Sequence, residues 1–138
     1  LTELLRDVVA NAKREGANIE LKADDAMTLT LRPDAFRRCL TNLISNARRH
    51  ANAISITANH LGDAIEIAID DDGPGIPPDM REEVFRPFFR LDLSRNPETG
   101  GIGLGLTIAR DVIRSHGGEL LLSDAPKGGL RALLRLPV

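Results

Sequence analysis

Tryptophan and tyrosine are absent from the 138 residues, and phenylalanine occurs only four times. An extended aromatic platform for stacking bases is therefore excluded, and nucleic acid is not an expected partner. A single cysteine, Cys39, rules out an internal disulfide and any multi-cysteine metal site. No apolar run approaches the roughly 20 residues of a membrane-spanning helix, and no signal-peptide pattern is recognisable. Neither sign of charge is in excess. The net charge is −2, with acids and bases interspersed, which removes the electrostatic case for an anionic membrane surface. The chain itself is expected in a reducing, cytoplasmic setting and outside the bilayer. It opens at Leu1 rather than Met, which fits a piece of a longer protein. Its 42% hydrophobic and 28% charged residues are ordinary for one globular domain. At this length a domain buries about two-thirds of its unfolded surface.

What is present is a mixed order of elements. Leu1, Leu4, Leu5, Val8, Val9 and Ala12 recur at helical spacing, and Gly16 stops them. Residues 18–22 and 27–31 read as two short strands around an Asp24-Asp25 turn. Pro33-Asp34 opens a second helix running to about His50, with Phe36, Leu40, Leu43 and Ala47 facing the core. Residues 54–58 and 64–71 form a hairpin over Gly62-Asp63. One or two helical turns are expected at 78–84. From Phe85 to Gly103 no periodicity holds, and a loop this long in a compact domain is often a functional lid. A third helix spans 104–116, with Ile108, Val112 and Ile113 inward. Residues 119–123 and 130–136 close the chain as a last hairpin. The expected fold class is an α/β two-layer sandwich: a mixed, mostly antiparallel sheet of about five strands covered on one face by three helices.

The most informative stretch runs from Ile65 to Pro77. Ile65, Ile67 and Ile69 alternate with Glu66, Ala68 and Asp70, the period of a half-buried strand. Continuing that parity puts Asp71 on the isoleucine side, with Asp70 and Asp72 on the other. A carboxylate there needs a partner, because a bare buried charge is costly. Gly73-Pro74-Gly75 behind it lets the backbone pass close to something. The stretch fits either a pocket floor for a ligand with an N–H edge or a solvated acidic turn.

Three other stretches carry chemistry. Asn42, Asn46 and Arg49 share one face of the second helix, roughly opposite Phe36 and Leu43. Two carboxamides and a cation can bind an oxyanion and the Mg²⁺ on it; the alternative is a solvated polar face. Gly101-Ile102-Gly103-Leu104-Gly105-Leu106 leads into the third helix, where exposed N–H groups and the helix dipole favour an anion. Neither the dinucleotide fingerprint nor a P-loop matches it, and alone it reads equally as a hinge. Phe85-Arg86-Pro87-Phe88-Phe89-Arg90 holds three of the four phenylalanines. It fits a lid anchored by aromatics with Arg90 reaching a phosphate, or a plain hydrophobic anchor. His60 and His116 lack a second ligand at metal spacing and read as surface or capping residues. Cys39 reads as an inert core thiol.

In combination these stretches are far more specific than singly. An Asn-x-x-x-Asn helix, a strand ending Asp-x-Gly-x-Gly, Phe-x-x-Phe-Phe-Arg, and Gly-x-Gly-x-Gly-Leu opening a helix follow in order over about 65 residues. The sequence closely resembles the catalytic ATP-binding domain of two-component sensor histidine kinases, which have the Bergerat fold. Within that family it looks most like the osmosensor-type kinases. The N box looks like Asn42 to His50, the G1 box Asp71 to Gly75, the F box Phe85 to Arg90, and the G2 box Gly101 to Leu106. The likeness extends over nearly all of 1–138, with the lid at about 86–103, and includes the closing hairpin from Gly128-Gly129-Leu130 to Pro137.

The resemblance implies ATP and Mg²⁺ as cofactors. Asp71 would accept from the adenine amino group, with Gly73, Gly75 and Ile76 around the base. Asn46 would hold Mg²⁺, with Asn42 and Arg49 near the phosphates. Arg90 would steady the terminal phosphate. Gly101, Ile102, Gly103, Leu104, Gly105 and Leu106 would wrap the triphosphate. Arg49 and His50 stand where the family often has Lys and Tyr, so ring stacking on adenine at His50 is a departure. Asp92 to Asn96 supplies no clear second phosphate ligand beyond Arg95. The implied reaction moves the γ-phosphoryl of ATP to a histidine on a separate dimerisation domain, and then to a response regulator. None of His50, His60 and His116 is followed by the acidic and basic residues of the family's acceptor site. The acceptor is therefore expected outside this chain, whose intact parent protein can span a membrane. Two rival functions remain: an anti-sigma-type serine kinase of the same fold, and a non-catalytic docking module.

Overall fold

The computed structural model describes residues 1–24, 31–81, 104–126 and 128–137. Among them are three α-helices and five strands: α1 (Thr2–Arg14), β1 (Ile19–Ala23), α2 (Pro33–His50), β2 (Ile54–Leu61), β3 (Ala64–Asp71), α3 (Leu104–Ser115), β4 (Glu119–Asp124) and β5 (Leu130–Pro137). A short 3₁₀ turn, Pro78–Met80, follows β3. The strands lie in the order β1-β2-β3-β5-β4. Only β1 and β2 are parallel; the other neighbours are antiparallel. The expected two-layer sandwich with a mixed, open five-stranded sheet is the fold observed.

Parallel strands need a crossover, and α2 supplies it. Its 18 residues span about 27 Å, enough to cross the whole sheet. Phe36, Cys39, Leu40, Leu43, Ile44 and Ala47 are buried along it. They meet Ile65, Ile67 and Ile69 of β3 and Leu134 and Leu136 of β5 in one continuous core.

Helix α3 runs antiparallel to α2 in a fixed register. At one end the Arg32 N–H donates to His116 Nε2 at 3.0 Å. Nδ1 of the same ring lies 2.7 Å from Val112 O. A carbonyl can only accept, so Nδ1 donates and Nε2 accepts. The ring edge also meets Phe36 with centroids 5.6 Å apart. Two turns further on, Cys39 Sγ lies 3.6 Å from Ala109 O. Carried forward, this register sets Leu104 level with Ile44 and puts the N-terminus of α3 between Asn42 and Asn46.

Several expectations are adjusted. Strand β2 continues to Leu61, because pairing holds through Leu61↔Ala64 and Gly62 turns the chain at φ 62°. Leu31 is not in a strand, and the rest of the expected 27–31 strand lies outside the described residues. Only Pro78–Met80 of the expected 78–84 helical turns is described as helical, and 82–84 lie outside. Helix α3 ends one residue early, at Ser115. Its inward face is Leu106, Ala109 and Ile113, whereas Ile108 and Val112 are half-buried. The cause is the 3.6-residue period: 106, 109 and 113 fall on one line, and 108 and 112 flank it.

Cys39 is fully enclosed, and burial pushes its thiol up to about 12. Alkylation by iodoacetamide at pH 8 should be undetectable in the folded chain and complete in denaturant, read by mass spectrometry. Rapid labelling of the native protein would contradict this packing.

Candidate functional site

Asp71 ends the central strand β3, and the expected parity holds. Its side chain lies on the core side of the sheet, and the residue is 9% exposed. Oδ1 accepts two backbone N–H groups, from Gly73 at 3.0 Å and from Leu130 at 3.1 Å. Among the described residues Oδ2 has no hydrogen-bond partner. No described side-chain oxygen is both enclosed and unpaired, so Oδ2 is open to an incoming donor. A tethered carboxylate with one free oxygen can recognise an N–H group.

The neighbouring aspartates are occupied elsewhere. Asp70 forms a two-pronged pair with Arg131 across the β3–β5 ladder, Nε to Oδ1 at 2.7 Å and Nη2 to Oδ2 at 2.9 Å. That hydrogen bond, in turn, raises the Arg131 guanidinium pKa above its ordinary value. Asp72 is exposed, and its Oδ1 accepts the N–H groups of Asn52 at 2.8 Å and Ala53 at 3.0 Å. The bonds from Ala53 and Asn52 hold the Asp72 carboxyl below the usual carboxylate range. Asp72 thereby fastens the C-terminal end of α2 to the end of β3. The last turns of α2, with Asn46 and Arg49, therefore lie at the Asp71 end of the sheet.

The loop after Asp71 is held from the other side as well. Arg81 Nε donates to Ile76 O at 3.1 Å, and Nη2 pairs with Asp124 Oδ1 at 2.6 Å. Ile76 itself is buried in the core. At Gly75 (φ 77°) a methyl group would lie 3.3 Å from Gly129 O. The space beside Gly75 is thus taken by the β4–β5 turn. Sequence reasoning placed this hairpin but gave neither its turn nor Arg81 a part in the site. Their signals, the Gly128-Gly129 pair and an arginine three residues beyond Pro78, are too common to single out.

Asn42 and Asn46 are half-buried and Arg49 is exposed. They sit beside the fully buried Cys39 rather than squarely opposite the core, so the face is not simply solvated. The register described above sets the first turn of α3 level with them. A helix N-terminus and two carboxamides on a neighbouring helix are, as chemical types, suited to phosphate and to a hard cation. The Leu106 side chain is in the core. Arg90, Gly101, Ile102 and Gly103, the Phe85–Arg90 segment and the expected lid lie outside the described residues, as do the side chains of His50, Leu104 and Gly105. Among the described residues no group of three His, Cys, Asp or Glu side chains could hold a metal. A separate groove of about 300 Å³ between α1 and α2, lined by Ala12, Arg37, Ile44 and Arg48 among others, contains none of the candidate residues.

Known proteins share this fold. The model of the histidine kinase-, DNA gyrase B-, and HSP90-like ATPase family matches residues 31–138. Sensor histidine kinase CpxA of Escherichia coli is 43% identical over 107 residues, which cover 77% of this chain and 23% of CpxA. This chain thus matches less than a quarter of that relative's length. The catalytic domain of histidine kinase ThkA superposes with a TM-score of 0.84 at 25% identity, over 99% of this chain and 91% of that one. The histidine kinase domain of the E. coli osmosensor EnvZ superposes at 0.74 with 31% identity, over 98% and 84%. No described helix is long and apolar enough to cross a membrane.

Because the Asp72 carboxyl is held low, its stabilising effect is complete above the ordinary carboxylate range and is lost as pH falls through the lowered value. The melting-temperature gap between the wild-type chain and Asp72→Ala should be widest near neutral pH and close in acid. A gap that stays constant down to pH 2 would contradict the latch.

Proposed function

The chain belongs to the histidine kinase-, DNA gyrase B-, and HSP90-like ATPase family, and from that premise we propose that it binds Mg²⁺-ATP and presents the γ-phosphoryl group to a histidine on a separate dimerisation domain. A response regulator would then receive the group. The observation that carries this reading is Asp71, with Oδ1 tied to two N–H groups and Oδ2 without a partner among the described residues.

Each residue has a task that its chemistry can perform. Asp71 Oδ2 accepts from the 6-amino group of adenine. Gly73, Gly75 and Ile76 form the loop beside the base. Asn46, with Asn42, offers carboxamide oxygens, the hard donors that suit a cation which keeps most of its waters. Mg²⁺, when bound there, neutralises charge on the phosphate oxygens. Arg49 and the N-terminus of α3 favour the same anion. By the family resemblance, Gly101, Ile102 and Gly103 would complete the phosphate loop, Arg90 would steady the terminal phosphate, and His50 would neighbour the base. Phosphoryl transfer depends chiefly on positioning and charge stabilisation, which this set supplies. Use of ATP and of a response regulator would put the chain on the cytoplasmic side, whether or not the intact protein is anchored in a membrane.

Two outcomes test the assignment. In calorimetry with a non-hydrolysable ATP analogue and Mg²⁺, Asp71→Asn should weaken binding by about tenfold or more, the scale of one charge-assisted hydrogen bond. Asp70→Asn and Asp72→Asn should change it far less, and equal losses at all three positions would sink the role of Asp71. With labelled ATP the chain should acquire no stable label on His50, His60 or His116; label on any of them would refute an acceptor in a separate domain.

A further inference from the structure

The geometry points to the β4–β5 turn, through the Gly129 backbone and the Leu130 N–H, as the element that sets purine selectivity by fixing which oxygen of Asp71 faces the base. This rests on Asp71 as the base acceptor and assigns its positioning to residues elsewhere in the chain.

The β3–β5 ladder ends at Asp70↔Arg131. One step further, the Leu130 N–H leaves the ladder and donates to the Asp71 side chain, 59 positions away in sequence. The turn that delivers it is tight. Gly128 N–H donates to Ala125 O at 3.1 Å, and Ala125 N–H donates to Gly129 O at 3.0 Å. Gly128 and Gly129 both have positive φ, 88° and 92°. They differ in what lies above them. A methyl group on Gly128 would meet nothing within 4 Å. On Gly129 it would lie 2.1 Å from the Asp71 carbonyl oxygen and 2.8 Å from Oδ1. Asp71 cannot retreat freely, because its backbone is paired with Ile54 on the other side. Gly129 is therefore the residue that permits the close approach, and Leu130 is the donor that exploits it.

The consequence for selectivity is geometric. Two N–H donors occupy Oδ1, so the carboxylate cannot rotate without losing them. Oδ2 presents lone pairs to the base edge. A 6-amino purine offers a donor to those lone pairs, and a 6-oxo purine offers an oxygen that repels them. Freeing Oδ1 would let the carboxylate turn away from an oxo group and weaken that rejection. Gly129 and Leu130 are positioning residues, since neither needs to touch the base.

The experiment compares binding of non-hydrolysable ATP and GTP analogues to the wild-type chain, Gly128→Ala and Gly129→Ala, alongside melting curves. Both alanines carry the positive-φ strain, so both should lower the melting temperature. Only Gly129→Ala should reduce the ATP-to-GTP preference, by about tenfold, the scale of one hydrogen bond to a charged group. Gly128→Ala should keep the wild-type ratio. If Gly129→Ala does not fold, replacing the Leu130 amide by an ester removes only the N–H and should lower the ratio in the same direction. A wild-type ratio in Gly129→Ala, or in the ester where the alanine cannot be made, overturns the inference. A wild-type chain with no preference for ATP would instead overturn the reading of Asp71 as the base acceptor.

Discussion

The placement of one carboxylate on the buried side of a central strand is the constraint on which the site depends. Strand parity carries Asp71 there, and desolvating a charge is costly unless hydrogen bonds offset the loss. Two backbone N–H groups do so, at about 1.5–3 kcal/mol each for bonds to a charged acceptor. They come from two distant stretches of the chain, one from the loop that follows at once and one from the start of β5. The loop and the last hairpin must therefore meet over this residue. Arg81 and the Gly75–Gly129 contact bring them together, and Asp72 ties the same corner to α2. What remains, among the described residues, is one carboxylate oxygen without a hydrogen-bond partner, and such an oxygen can accept from an incoming donor.

The second half of the site follows from the antiparallel pairing of α2 and α3. Their register is fixed far from the ligand end, by His116 at the start of α2 and by the packing of Cys39 on Ala109. A rigid helix transmits that register along its length. The outcome is a helix N-terminus level with the two asparagines of α2. Neither carboxamide is on a free surface, because the same stretch of α2 is buried beside Cys39 and Leu43. In the proposed reading the adenine end would be set by the sheet and the phosphate end by the helix pair. The Asp72 latch at residues 51–53 joins the two.

Local periodicity made much of this legible. Period-2 alternation in β3 singled out Asp71 from three adjacent aspartates, and helical spacing placed the core face of α2, whereas β2 runs three residues beyond its expected end. The parts that stayed hidden depend on long-range pairing. Leu130 donates to Asp71 because of the strand order β3-β5, which no local pattern encodes. Gly129 looks like any hairpin glycine until its neighbour across the sheet is known. Asp70 looked merely outward-facing, whereas its partner Arg131 lies across the ladder. The inward face of α3 was drawn around Ile108, the larger side chain, when the small Ala109 is the one that allows α2 to approach.

The central claim is that Asp71, and not Asp70 or Asp72, meets the base. Carbon-13 NMR of the aspartate side-chain carboxyls, recorded as a Mg²⁺-loaded, non-hydrolysable ATP analogue is added, tests it most directly. The account predicts a large shift of the Asp71 signal, with Asp70 held by Arg131 and Asp72 held by Asn52 and Ala53 nearly unmoved. An unmoved Asp71 signal beside a shifting Asp70 or Asp72 would contradict it.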